Sequence, residues 1–338
     1  MQINRDIRLP IGGIAISLES RENQERELFS AQFKYGHREI LLDYMALPRT
    51  TLLKGILQHG VIQNGIMDRN SYVKDLKTPR IGLFKRSPLW VYATQTENYL
   101  LNEKVRNVKA IGAPWLYLLK NLNLEPDILQ NKERPTRYLA FPTHFDMNDS
   151  FHYDKTKIRE KITAWKSLAG NAELTLCLFW TEYLTEEWQE VAGEEGVTVV
   201  TAGLGRTDPS WSQNLMRTNF LHKLLNILDS ASHCIFEDLS SAIFYALSLG
   251  LKVGYFPITA NHLIINDKKT RLQSEGVLSF SQNWIGGNMS SIIDSFDSSP
   301  ELRSIANLML GKDALREQEE LKEILVFNIH GVPAPAFI

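Results

Sequence analysis

The chain has 338 residues, 43% of them hydrophobic and 22% charged, with a formal net charge of −2. That length and balance describe a globular protein with room for two cores, and the near-zero charge excludes recruitment of nucleic acid by a global basic field. Its two cysteines, Cys177 and Cys234, lie in apolar, strand-like surroundings. They are too few for a disulfide framework or a structural zinc site and are expected as buried thiols of a reducing compartment.

MQINRDIRLPIGG lacks the apolar core of a signal peptide, and no window reaches the ~18 consecutive apolar residues of a membrane span. A cytoplasmic protein is expected. In the N-terminal half REILLDYM, LKGILQHGV, LWVYAT and VKAIGAPW are candidate strands, and TENYLLNEKV (96–105) is a helix. Between them KTPRIGLFKRSPLW (77–90) mixes Lys77, Arg80, Lys85 and Arg86 with Phe84 and Trp90. Such a segment can hold a protein at the anionic inner face of a membrane, or it can be a solvated loop.

LNLEPDILQNKERPTR (122–137), charged and with two prolines, is the expected junction between a domain over 1–130 and another over 131–338. The second half has a clear rhythm. RYLAFPTH (137–144), ELTLCLFW (173–180), VTVVTAG (197–203), HCIFEDL and KVGYFPI read as strands. KTKIREKITAWKSLAG (155–170), TEEWQEVAGEEG, NFLHKLLNILDSA (219–231) and SSAIFYALSLG read as helices between them. Such alternation predicts a parallel sheet with covering helices, a Rossmann-like domain. GGN (286–288) reads as a turn, and KDALREQEELKEILVF (312–327) as one amphipathic helix with Arg316 and Glu320 as i,i+4 neighbours.

Four features carry chemistry. Ser240 and Ser241 follow a strand and open a helix, beside Glu237 and Asp238. Serine caps helices, and a pair at the carboxyl edge of a parallel sheet can also hold phosphate while a nearby acid holds ribose. His59, in LQHGVIQNG, stands at a strand end before Gly60, where an imidazole can act as general base or merely cap a turn; Asp68 and Glu97 are the nearest alternative acids or bases. His144 follows the first strand of the second half and can donate to a departing phosphate. Gly203 lets the chain bend after the third strand, and Arg206 supplies a donor fork suited to phosphate. There is no GxGxxG after a strand, no GxxxxGK[ST], no GxSxG and no HExxH. Dinucleotide enzymes, P-loop NTPases, α/β-hydrolases and zincins are thereby unsupported. No Asp-x-Asp pair follows a strand, and no metal site is expected.

The run LHKLLNILDSASHCIFEDLSSAIFYALSLGLKVGYF resembles the donor-binding half of GT-B glycosyltransferases of bacterial capsule and lipopolysaccharide synthesis. It is most similar to those using CMP-activated ulosonic acids, such as Kdo, sialic or pseudaminic types. It also resembles CDP-glycerol polymerases, which pair a histidine–glycine motif with a late double serine. The resemblance covers 50–65 and 137–256; the chain differs in its short N-terminal domain and in the acids Glu237–Asp238. It implies an α/β fold of two Rossmann-like domains facing a cleft. The first would bind a glycan or glycolipid acceptor with His59 as base, and the second a nucleotide sugar through His144, Arg206, Ser240 and Ser241. The C-terminal helix would pack back on the first domain. Transfer would be metal-independent, with the nucleotide sugar as substrate and no cofactor. A carboxylate such as Asp68, Glu97 or Asp146 would serve instead as nucleophile if configuration is retained. Other readings of the same residues are a sugar-nucleotide epimerase and, outside enzymes, a two-domain protein that closes on a small ligand.

Overall fold

The computed structural model describes residues 9–11, 14–16, 35–49, 51, 53, 55–58, 60, 61, 88–124, 135–143, 151–203, 220–257, 263–265 and 282–326. The chain divides into two compact units, 1–123 with 308–338, and 124–307. The C-terminal segment thus belongs to the first unit, and the division falls after Asn123. Each unit contains a parallel sheet with helices, the α/β class expected from the sequence.

In the first unit a hairpin, β1 (Leu9–Ile11) and β2 (Ile14–Ile16), precedes helix α1 (His37–Tyr44). Then come β3 (Ile56–Leu57), β4 (Leu89–Val91), helix α2 (Thr94–Asn102), β5 (Val108–Ala110) and helix α3 (Pro114–Asn121). The sheet is β3-β4-β5, parallel throughout. REILLDYM, expected as a strand, is the body of α1. All but Asp43 of this helix is buried, including His37, Arg38 and Glu39, so no polar face marks the helical period. VKAIGAPW is strand only as far as Ala110; Pro114 then opens α3, where a missing N–H costs nothing. Trp90, which the sequence left open between a membrane contact and a solvated loop, is neither at its side chain: it is 7% exposed within β4, and the basic residues 77–86 lie outside the described residues.

The second unit runs β6 (Arg137–Phe141), β7 (Phe151–Tyr153), α4 (Lys155–Ala169), β8 (Glu173–Cys177), α5 (Trp180–Tyr183), α6 (Glu186–Glu194), β9 (Thr198–Val200), α7 (Phe220–Asp229), β10 (His233–Phe236), α8 (Ser241–Ser248), β11 (Lys252–Tyr255) and β12 (Leu263–Ile265). Helix α9 (Pro300–Leu310) then leads into the first unit's last helix, α10 (Gln318–Leu325). The main sheet has the order β11-β10-β6-β8-β9, and every pair in it is parallel. β7 and β12 form a separate antiparallel pair.

Helix α4 shows how local signals build this unit. Asp154 caps it, its carboxylate accepting from Thr156 N at 2.9 Å and Lys157 N at 3.3 Å, and Gly170 ends it at φ 60°. Ile158, Ile162 and Trp165 recur at helical spacing and are fully buried against Leu176, Trp188 and Val191. The outer face pairs with α6 through Lys155–Glu190 and Arg159–Glu194, exposed bridges that add little stability. Cys177 and Cys234 are free and buried, and burial pushes the Cys177 thiol up to about 12, which makes it inert.

Two sequence expectations fail at the C-terminal end. GGN is not a turn: 282–288 is helical. The segment 312–327 is not one helix either. A 3-10 turn (Lys312–Ala314) precedes an extended Leu315, and α10 begins only at Gln318. Tertiary bonds hold the break. Arg316 N donates to Tyr117 Oη at 3.0 Å, and Tyr44 Oη donates to Arg316 O at 3.1 Å. The Arg316–Glu320 pair expected within a helix does form, at 3.1 Å.

At the amino-terminal edge of the second sheet His233 stacks on Tyr138, with ring centroids 4.7 Å apart, and meets Phe296 edge-on at 5.2 Å. Desolvation first, then Lys252, holds its pKa below the ordinary 6.5. A depressed base contributes stability above the unfolded pKa and loses it as pH falls, because the unfolded chain takes up the proton more readily. Melting temperature should therefore fall more steeply below about pH 6.5 in the wild type than in His233→Phe. Parallel pH profiles of the two proteins would remove His233 from this role.

Candidate nucleotide site

In the five-stranded sheet of the second unit the first strand by sequence, β6, lies beside the fourth, β10. From β6 the chain proceeds to β8 and β9 on one side, and from β10 to β11 on the other. β6 and β10 therefore flank the topological switch point. Loops that leave two adjacent strands in opposite directions open a crevice at their carboxyl ends, the usual ligand position in open α/β sheets. Thr143 follows β6 there, and Glu237, Asp238, Leu239 and Ser240 follow β10.

Ser240 is the N-cap residue of α8, extended at φ −130° and ψ 159°, yet its side chain makes no capping hydrogen bond. Its Oγ is buried and, among the described residues, has no hydrogen-bond partner. A buried, unmade hydrogen bond of this kind costs about 1–3 kcal/mol. It stands at the positive end of a helix whose apolar body, Ile243, Phe244, Ala246 and Leu247, is fully buried. Ser241 is the first residue of the helix proper. Asp238 turns back on the chain, its Oδ1 accepting from Leu239 N at 2.7 Å.

Glu237 does not hold ribose. It is 2% exposed, and Lys161 Nζ of α4 lies 2.6 Å from each of its carboxylate oxygens. Thr143 N donates to its Oε2 at 3.0 Å. Both oxygens are thus engaged inside the protein. Burial pushes the carboxyl above its ordinary range, while Lys161 and the Thr143 N–H act in the opposite sense.

Gly203 is not at the crevice. It follows β9, the outermost strand, three strand spacings or roughly 14 Å from β10. A Cβ there would come within 3.2 Å of Phe220, so the glycine serves packing against α7. Glu97 is committed too: its Oε2 accepts from Ala110 N at 2.8 Å, fastening α2 to β5. His59, Asp68, His144, Asp146 and Arg206 lie outside the described residues. The residues that flank His59 are held firmly. Gln58 is 2% exposed, its Nε2 donates to Gly60 O at 2.8 Å, and its Oε1 accepts from Tyr92 N at 2.9 Å. Tyr92 Oη donates to Gln58 O at 2.9 Å.

Two residues escaped the sequence reading. Lys161 is one of several charged residues in the α4 sequence, and nothing local sets it apart. Tyr255, at the carboxyl end of β11, is 1% exposed, and its hydroxyl has no partner among the described residues. Desolvation first, then Asp238 and Glu237, raises its pKa. Only its place in an apolar strand was legible. Among the described residues no group of His, Cys, Asp and Glu could hold a metal, and no helix is long and apolar enough to cross a membrane.

No protein-family model matches the chain, and no curated protein sequence does. Solved structures with a similar course of chain include S. aureus MnaA with UDP, at 10% identity and TM-score 0.38, covering 74% of this chain and 64% of that one. UDP-GlcNAc 2-epimerase from Methanocaldococcus jannaschii follows at 11% identity and TM-score 0.36, covering 84% and 73%. The wall teichoic acid polymerase TagF matches at 14% identity and TM-score 0.34, covering 79% and 68%. The chain thus spans less than two thirds of the length of MnaA. Likenesses of this degree assign no activity.

Proposed function

We propose that the chain is a nucleotide-sugar-dependent glycosyltransferase whose second unit binds the nucleotide at the β6/β10 switch point. The observation that carries this reading is Ser240 Oγ, a buried donor without a partner among the described residues, at a helix N-terminus on the ligand edge of a parallel sheet. A phosphate oxygen reaching that edge would accept from Ser240 Oγ and lie at the positive end of α8. This donor and the helix dipole would offset the charge that develops on the nucleotide phosphate as an acceptor hydroxyl attacks the anomeric carbon. No metal is required for that step. The donor favoured by the sequence resemblance is a CMP-activated ulosonic acid of the Kdo, sialic or pseudaminic type, and the acceptor a glycan or glycolipid of a bacterial capsule or lipopolysaccharide. The setting is the cytoplasm.

A thermal-shift series with CMP, CDP, UDP and GDP tests the nucleotide site. A bound nucleotide at a hundred times its Kd stabilises the fold by about 2.7 kcal/mol. Failure of all four to raise the melting temperature would overturn the reading. Turnover of a nucleotide sugar without any acceptor would convert it to an epimerase.

Ser240→Ala separates ligand binding from capping. Because the side chain makes no cap bond and its buried hydroxyl has no partner among the described residues, the substitution should leave the melting temperature unchanged or raise it, where loss of a working serine cap would cost about 1 kcal/mol. Nucleotide affinity should fall about tenfold, the equivalent of one phosphate hydrogen bond. Unchanged affinity in calorimetric titration would return Ser240 to a purely local role.

A further inference from the structure

At the switch point the chain leaves β6 and β10 in opposite directions, so nothing in the sheet itself fixes the two following loops to each other. One carboxylate does so. Glu237 is the first residue beyond β10, and its oxygens reach Lys161 Nζ in α4 and Thr143 N in the loop after β6. A backbone bond of 3.4 Å from Glu237 N to Phe141 O extends the β10–β6 pairing up to that point. Below it the Phe141 and Phe236 rings stack at 4.6 Å with an interplanar angle of 5°. Three residues further on stands Ser240.

We infer that Lys161 and Glu237 form a positioning pair, which fixes the Thr143 and Asp238–Ser240 loops as the two walls of the nucleotide crevice. The inference rests on the nucleotide-binding reading of that crevice and assigns the pair no contact with the ligand. Stability alone does not account for a pair whose side chains are 2% and 1% exposed. Well-packed apolar residues of similar volume are often as stable as a buried ion pair or more so, because they avoid desolvating two charges. An apolar pair cannot, however, accept the Thr143 N–H. That acceptor is the link between the loops, and Lys161 is the counter-charge that lets a carboxylate supply it in a buried place.

Two double variants separate these roles. K161M/E237Q removes both charges but keeps a carbonyl oxygen for Thr143 N. K161M/E237L removes the charges and the acceptor together. The two doubles should melt within a few degrees of each other, since one buries an unpaired amide and the other an unpaired Thr143 N–H, yet the leucine double should bind the nucleotide about tenfold more weakly than the glutamine double, which should stay within about threefold of the wild type. A difference in affinity without a matching difference in stability is the signature of positioning; a purely structural pair would change both properties together, and equal affinities would overturn the inference. Amide exchange at Thr143 supplies a readout that needs no ligand. It should be about tenfold faster in the leucine double than in the glutamine double. If the wild type binds none of the four nucleotides, the functional reading falls, and equal Thr143 exchange in the two doubles then removes the loop link as well.

Discussion

Gly311→Ala should destabilise the first unit by about 2–5 kcal/mol, the sum of an overpacking cost and a left-handed backbone cost. Gly311 sits at φ 70°, and a Cβ built on it would fall 1.8 Å from Tyr92 O, 2.5 Å from Tyr92 C and 3.0 Å from Ala93 N. These are backbone atoms at the end of β4 and cannot swing aside as a flexible side chain would. Tyr92 is also the residue that fixes Gln58 through both N–H and hydroxyl. Displacement at Gly311 should therefore reach the chain on either side of His59. Gly196→Ala is the control, with a similar φ of 65° but nothing within 4 Å of the new carbon. It should cost only about 1 kcal/mol, the backbone term alone. Urea midpoints of the two variants would test the steric part directly, and equal midpoints would refute it.

Lys161→Met should be the most damaging single substitution at the crevice, costing about 3–5 kcal/mol at neutral pH. It leaves Glu237 2% exposed with a charge and no cation beside it. The carboxyl then gains from taking up a proton, since burial already raises its pKa. A raised acid contributes stability below its unfolded pKa and loses it as pH rises through the folded value. The destabilisation of Lys161→Met relative to wild type should accordingly shrink as the solution is acidified toward the ordinary carboxyl range. A deficit that is the same at pH 5 and pH 8 would mean that the pair is not carried by charge.

Much of the second unit was legible because its periods are distinct. Ile158, Ile162 and Trp165 mark one buried stripe of a helix whose other face is charged, and Asp154 and Gly170 close its ends. HCIF and KVGY are short apolar runs bounded by turns, and they are strands. The first unit was harder. In α1 nearly every residue is buried, so eight residues of helix look like eight residues of strand. The break before α10 was invisible because Tyr117 and Tyr44, which hold Arg316, come from helices 199 and 272 residues away in the chain.

The candidate site divides in the same way. The sequence by itself determined that Ser240 and Ser241 stand where a strand passes into a helix, because capping residues and apolar spacing are local properties. It could not determine which strands are neighbours. Only the tertiary structure placed β10 against β6 and so made that edge the switch point, leaving Gly203 at the far side of the sheet. Glu237, expected to face a ligand, was turned inward by Lys161, 76 residues away. Strand order and charge pairing depend on contacts between segments distant in sequence, and no local pattern of residues encodes them.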